Sequence, residues 1–107
     1  MFNKTRIFLS VDVLGNNPHS MNWDFELSKL GACLYKDIPH APVGNPPPMT
    51  VGQTISFEGF HTEIESIHWS VEHGAMFVYT KDIDLCKDVI SNRIAYLLNL
   101  GFQKIGN

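Results

Sequence analysis

The stretch Phe60 to Trp69, FHTEIESIHW, gathers His61, Glu63, Glu65 and His68. Imidazole and carboxylate together suit zinc, iron or manganese, and the same groups pass protons in acid–base catalysis. In an extended chain alternate residues share a face. His61, Glu63 and Glu65 then form a row, followed on that side by Ile67, Trp69 and Val71 if the alternation is unbroken, with Ile64, Ser66, His68 and Ser70 on the other side. Ligands two positions apart on a strand stand about 7 Å apart, so the row needs a further ligand from another element. His19, Asp37 and His40 are the residues that could supply it. The structural reading is simpler: polar and charged side chains at the end of a sheet discourage pairing with other chains, while Ile67, Trp69 and Val71 run on into the core. That reading is preferred, with a metal-dependent enzyme or metal binder using His61, Glu63, Glu65 and His68 as the alternative. No catalytic residue is assigned and no cofactor is expected.

Other chemistry is thinner. The chain contains no G-x-S-x-G, no phosphate-binding G-x-x-x-x-G-K-[ST], no dinucleotide glycine fingerprint and no C-x-x-C. Asp82, Asp84 and Asp88 lack the glycine and closing glutamate of a calcium loop and read as helix-start charges. Cys33, in the apolar run Ala32-Cys33-Leu34-Tyr35, and Cys86, on a helix stripe, read as buried reduced thiols. Nucleophilic catalysis by Cys86 would need exposure and a neighbouring imidazole.

The aromatic residues are the more suggestive set. At 11% of 107 residues they are plentiful. Trp23, Tyr35, Phe60, Trp69 and Tyr79, with Phe25 and Phe77, exceed what one small sheet needs beneath a single helix. An apolar surface left uncovered marks an interface or a ligand groove. Trp23, Tyr35, Phe60, Trp69 and Tyr79 are therefore the candidate binding residues. Their partner is expected to be a second copy of the chain, another protein or a small molecule, with a two-fold homodimer the leading expectation.

The elements that must position these residues follow from period and punctuation. Arg6 to Leu14 alternates, with Ile7, Leu9, Val11 and Val13 on one side and Phe8, Ser10, Asp12 and Leu14 on the other, and predicts a strand. Gly15-Asn16-Asn17-Pro18 ends it. Met21 to Leu30 fits a strand through Met21, Trp23, Phe25 and Leu27, and a short helix through Trp23, Leu27 and Leu30; the strand is favoured on the number of matches. Ala32 to Ile38 predicts a strand ended by Pro39. The run from Pro39 to Pro48, PHAPVGNPPP, reads as a semi-rigid surface loop. A strand is expected after the Val51-Gly52 turn, with Thr54, Ser56 and Glu58 alternating with Ile55, Phe57 and, past Gly59, Phe60. Further strands are expected from about Thr62 to Val71 and from Ala75 to Thr80, with Gly59 permitting a turn or bulge and Glu72-His73-Gly74 forming a hairpin turn. Both sides of Ala75 to Thr80 are apolar, as in a central or doubly covered strand. Lys81 to Leu100 predicts an amphipathic helix capped by Asp82 or Asp84, with Gly101 as the glycine that stops it and Phe102 folding back on Leu97.

The expected architecture is one α+β domain over residues 1–107: a curved or barrel-like antiparallel sheet of four to five strands, packed by one C-terminal α-helix. The formal net charge is −3 and the eight Lys and Arg are scattered, whereas nucleic-acid binding needs a concentrated cationic face. No nucleic-acid partner is expected. The N-terminal apolar run is short and interrupted by Asp12, and nothing approaches a membrane span, so a cytoplasmic protein with no membrane partner is expected.

The segment VGQTISFEGFHTEIESIHW, with V-G-x-x-I-x-F-x-G ahead of a long strand, is similar to a strand pair of small bacterial and phage accessory proteins. In size and texture the chain resembles the single-domain proteins carried on bacterial mobile (integron-type) gene cassettes. That resemblance implies a cytosolic accessory protein and carries over no site residue.

Overall fold

In the computed structural model the alternation of the first strand is realised as strand β1, Lys4–Val13, whose odd positions are buried and even positions half-buried. The described residues are 4–16, 21, 23–39, 49–57 and 59–105; the loop expected at Pro39 to Pro48, and His19 and His40, fall almost wholly outside them. The further elements are α1 (Phe25–Ser28), β2 (Ala32–Pro39), β3 (Thr54–Phe57), β4 (Phe60–Ser70), β5 (Ala75–Thr80), β6 (Ile83–Leu85), α2 (Ile90–Asn99) and β7 (Gln103–Lys104).

The protein is mixed α+β, and three details of the expected architecture are corrected. Among the described residues the sheet has seven strands rather than four or five, in the order β3-β4-β5-β1-β2-β7 with β6 also on β1. It is open, with β3 and β7 at its ends, rather than barrel-like. Among the described residues two helices rather than one accompany it. Most pairings are antiparallel, but β1 lies parallel to β5 and then to β6, because the chain returns to the first strand only after the β3–β4–β5 meander. That return makes β5 central, in keeping with its two apolar faces.

Two local expectations also change. Residues 25–28 are helical, not extended. Asp24 caps the turn through its side chain, which accepts from the Glu26 amide at 2.8 Å. The buried Asn16 clamps Asp24, its Oδ1 accepting from the Asp24 amide at 2.6 Å and its Nδ2 donating to the Asp24 carbonyl at 3.0 Å. Two satisfied backbone groups outweigh the period-2 pattern. The helix expected from Lys81 begins only at Ile90, because Ile83–Leu85 is taken up as a strand beside Val11–Val13. Asp82 and Asp84 therefore precede the helix without capping it, and Val89 stands at the N-cap with no side-chain cap. Cys86 is exposed and lies outside the helix.

The other end of α2 is as expected. Gly101 adopts φ 102°, a left-handed conformation suited to glycine. Its amide donates to the Leu98 carbonyl, and the Phe102 amide reaches the Leu97 carbonyl at 3.2 Å. This pair of bonds closes the helix and turns the Phe102 ring into the core beside Leu97. Ile90, Ile94 and Leu97 point inward from α2 and meet Ile7, Leu9, Val11, Leu34, Ile64 and Val78 from the sheet. Leu27 of α1 packs against the same cluster, so both helices serve one face of the sheet. Burying such a side chain stabilises by about 1.5–3 kcal/mol.

Candidate functional site

The face opposite the helices is built from the even positions of β1 and their neighbours. Antiparallel register sets Arg6 opposite Asp37, Phe8 opposite Tyr35 and Ser10 opposite Cys33. Parallel register sets Arg6 beside Phe77 and Phe8 beside Tyr79. Facing residues of adjacent strands project to the same side, so four aromatic rings converge. Phe8 stacks on Tyr79 with centroids 4.8 Å apart and planes 7° apart. It meets Phe77 edge-on at 5.3 Å and Tyr35 at 6.5 Å. The Tyr35 hydroxyl donates to Gln103 at 2.9 Å, tying the cluster to the C-terminal strand.

A cation is already docked on these rings. The Arg6 guanidinium lies 4.4 Å from the Tyr35 centroid and 5.9 Å from that of Phe77, a cation–π arrangement. Asp37 holds it by two bonds, from Nε at 2.7 Å and Nη2 at 3.0 Å, and Lys4 adds a third contact to the carboxylate at 3.3 Å. The hydrogen bonds from Arg6 hold the Asp37 carboxyl below its ordinary range against the opposing effect of burial, with the charges of Arg6 and Lys4 adding to them. The same bond to Asp37 raises the Arg6 guanidinium. Asp37 is thus engaged by Arg6 and Lys4.

Beyond Phe8 the face opens into a groove of about 460 Å³, lined among others by Phe8, Cys33, Glu65, Tyr79, Asp82 and Ile105. Ile105 is brought there by its amide, which donates to the Cys33 carbonyl at 2.9 Å. Cys33 is exposed on this face rather than buried; it is Leu34 whose side chain enters the core. The groove end is acidic. Asp12 lies beside Asp84 in the parallel register, and its carboxyl is raised above the ordinary range first by burial and then by the charges of Asp82 and Asp84.

The candidate binding residues divide. Tyr35 and Tyr79 lie together on this open face. Phe60 is buried on the helix side, its ring 6.2 Å from Tyr96 and under the Arg93 guanidinium at 5.5 Å. Trp69 is opposite Met76, also on the helix side, yet 47% exposed. Trp23 lies apart, edge-to-face with Phe25 at 5.9 Å. Phe8 and Arg6 were not among the candidates. The alternation of β1 puts Phe8 with Ser10 and Asp12, but only the register with β2 and β5 shows what they face.

The His/Glu row is broken by a bulge. Ile64 pairs with Thr80 and Ser66 with Tyr79, leaving Glu65 as the extra residue. An inserted residue reverses the alternation. Phe60, Thr62 and Ile64 face the core before it, and Ile67 faces the core after it. His61 and Glu63 therefore share a side with Ser66 and His68, not with Ile67 and Trp69. His61 and His68, seven residues apart on one strand, stand roughly 20 Å from each other at about 3.3 Å per residue. His61 Nδ1 is 2.8 Å from the Ser56 hydroxyl across the β3–β4 hairpin. Glu63 is paired with Lys81, whose ammonium it raises through that hydrogen bond. His68 lies near the Phe77 ring at 6.4 Å. Among the described residues no three His, Cys, Asp or Glu side chains converge as metal ligands would, and no helix is long and apolar enough to cross a membrane.

No protein-family model, curated protein or solved structure matches the chain.

Proposed function

We propose that the protein is a small binding module that takes its ligand in the groove on the open face of its sheet. The observation that carries this reading is the convergence of Phe8, Tyr35, Phe77 and Tyr79 on the face opposite both helices, beside a groove of about 460 Å³. That volume falls within the range of small-molecule sites, about 300–1,000 Å³. Rings stacked on one another keep their positions without a ligand, so binding costs little ordering entropy. Two exposed thiols without a disulfide fit work in a reducing compartment such as the cytoplasm, and an accessory role fits the resemblance to mobile-cassette proteins.

Titration of isotope-labelled protein with a set of aromatic fragments, followed by amide NMR, tests this reading. Shifts clustering on residues 6–10, 33–35 and 77–80 support it. Shifts confined to a second cavity among the described residues, between Leu30 and Leu98, or no shifts at millimolar fragment, overturn it.

A second reading, a homodimer, is favoured by a separate apolar patch. Trp69 is 47% and Val71 84% exposed at the end of the β4–β5 hairpin, where a self-complementary contact would cover them. Light scattering on wild type and on Trp69→Ala tests it. A monomer at high micromolar concentration refutes it.

A further inference from the structure

We infer that the groove takes an organic cation: a molecule with a flat apolar body and a permanently charged ammonium. This deepens the binding-module reading and rests on it. The floor supplies the apolar part. Phe8 and Tyr79 are stacked there, Tyr79 keeps 40% of its surface exposed, and Ile105 forms a wall with 48% exposed. Aromatic faces attract cations electrostatically, and this sheet face already holds one in that way, Arg6 over Tyr35. Arg6 is neutralised by Asp37, one pleat away from Phe8 along β1.

The rim supplies the charge. Glu65 and Asp82 both line the groove, and among the described residues no Lys, Arg or His does. Asp12, with Asp84 beside it, continues the negative end. The Lys81 ammonium feels Glu65 but is bonded to Glu63. The raised carboxyl of Asp12 reports the same crowding, since Asp82 and Asp84 both push it upward after burial. An entering ammonium would relieve that repulsion while its body covers the rings. A carboxylate, sulfonate or phosphate would meet the same carboxylates as like charges. A neutral aromatic molecule could use the floor but would gain nothing from the rim.

Cys33 provides the readout, because it lines the groove and is exposed. With Cys86→Ser as the background, Cys33 is the single thiol. Its alkylation rate by iodoacetamide is measured against (naphthylmethyl)trimethylammonium, naphthalenemethanol and naphthalenesulfonate. The expected result is protection by the cation at lower concentration than by the other two. The double variant Glu65→Gln, Asp82→Asn should weaken the cation by about fivefold, as for two partly solvated charge pairs, and leave the alcohol unchanged. Both substitutions are isosteric and lie at the groove rim, and unchanged circular dichroism confirms the fold. Equal protection by all three probes overturns the cation assignment and leaves the binding groove standing. A cation preference that survives the double variant overturns the role of this rim. No protection by any probe at millimolar concentration removes the groove as a site, and the assignment with it.

Discussion

Removing the carboxylate of Asp37 tests the construction of the open face. Asp37 receives two bonds from Arg6, at 2.7 and 3.0 Å, and one from Lys4 at 3.3 Å, with 34% of its side chain exposed. Hydrogen bonds to charged groups contribute about 1.5–3 kcal/mol when well shielded; partial exposure and solvent screening reduce this to about 1 kcal/mol for Asp37→Asn. For a domain of this size that loss lowers the unfolding midpoint by roughly 5 °C. The pH dependence fixes the cause. The folded-state carboxyl is held below its unfolded value, chiefly by the bond from Arg6. The unfolded chain therefore binds the proton first, and the stabilisation is present above the ordinary carboxylate range, near about 3.9, and lost as pH falls through the lowered folded value. Urea unfolding of wild type and Asp37→Asn from neutral pH to pH 3 is the assay. The difference between the two should be about 1 kcal/mol near neutrality and shrink as the acid limb is reached. A constant difference across pH, or none at neutrality, refutes the account of Arg6 as a cation held on the rings by Asp37.

Asp12 has the opposite sign: its folded carboxyl is raised, first by burial and then by Asp82 and Asp84, so wild type gains stability as pH falls into the raised range, and Asp12→Asn should be more stable than wild type at neutral pH and lack that gain. Leu34→Ala removes a fully buried side chain and should cost about 2–5 kcal/mol in chemical denaturation. Gly101→Ala meets only ordinary contacts, Lys36 Cε at 3.5 Å, so its loss should be that of the positive φ alone, about 1 kcal/mol. Metal analysis of protein purified without a histidine tag should find no stoichiometric zinc, iron or manganese; a stoichiometric metal lost on His61→Ala would revive the His61/Glu63/Glu65/His68 alternative.

Much of the local structure was legible because it is written in short range. The alternation of Ile7, Leu9, Val11 and Val13 against Phe8, Ser10 and Asp12 sorts β1 into two faces before any partner is known. Gly101 and Phe102 end α2 as their order demands. Periodicity ranks the short helix at Phe25–Ser28 below a strand because the helix's support comes from Asn16, nine positions upstream of Phe25 and outside the periodic window. The late start of α2 was missed for a similar reason. Ile83–Leu85 has a helix-compatible pattern, but the free edge of β1 beyond Phe8 offers backbone partners that the strand takes up.

The chain by itself determined which residues stand together within an element, since period and capping are set by neighbours a few positions away. Only the tertiary structure decided what those groups face. The docking of β5 parallel to β1 brought Phe77 and Tyr79 to Phe8. The extra residue at Glu65 turned the His61/Glu63 row to the side opposite Ile67. The first outcome depends on register between strands far apart in sequence and the second on register across the β4–β5 hairpin; in each a one-residue change exchanges the faces of a strand while leaving its local alternation intact.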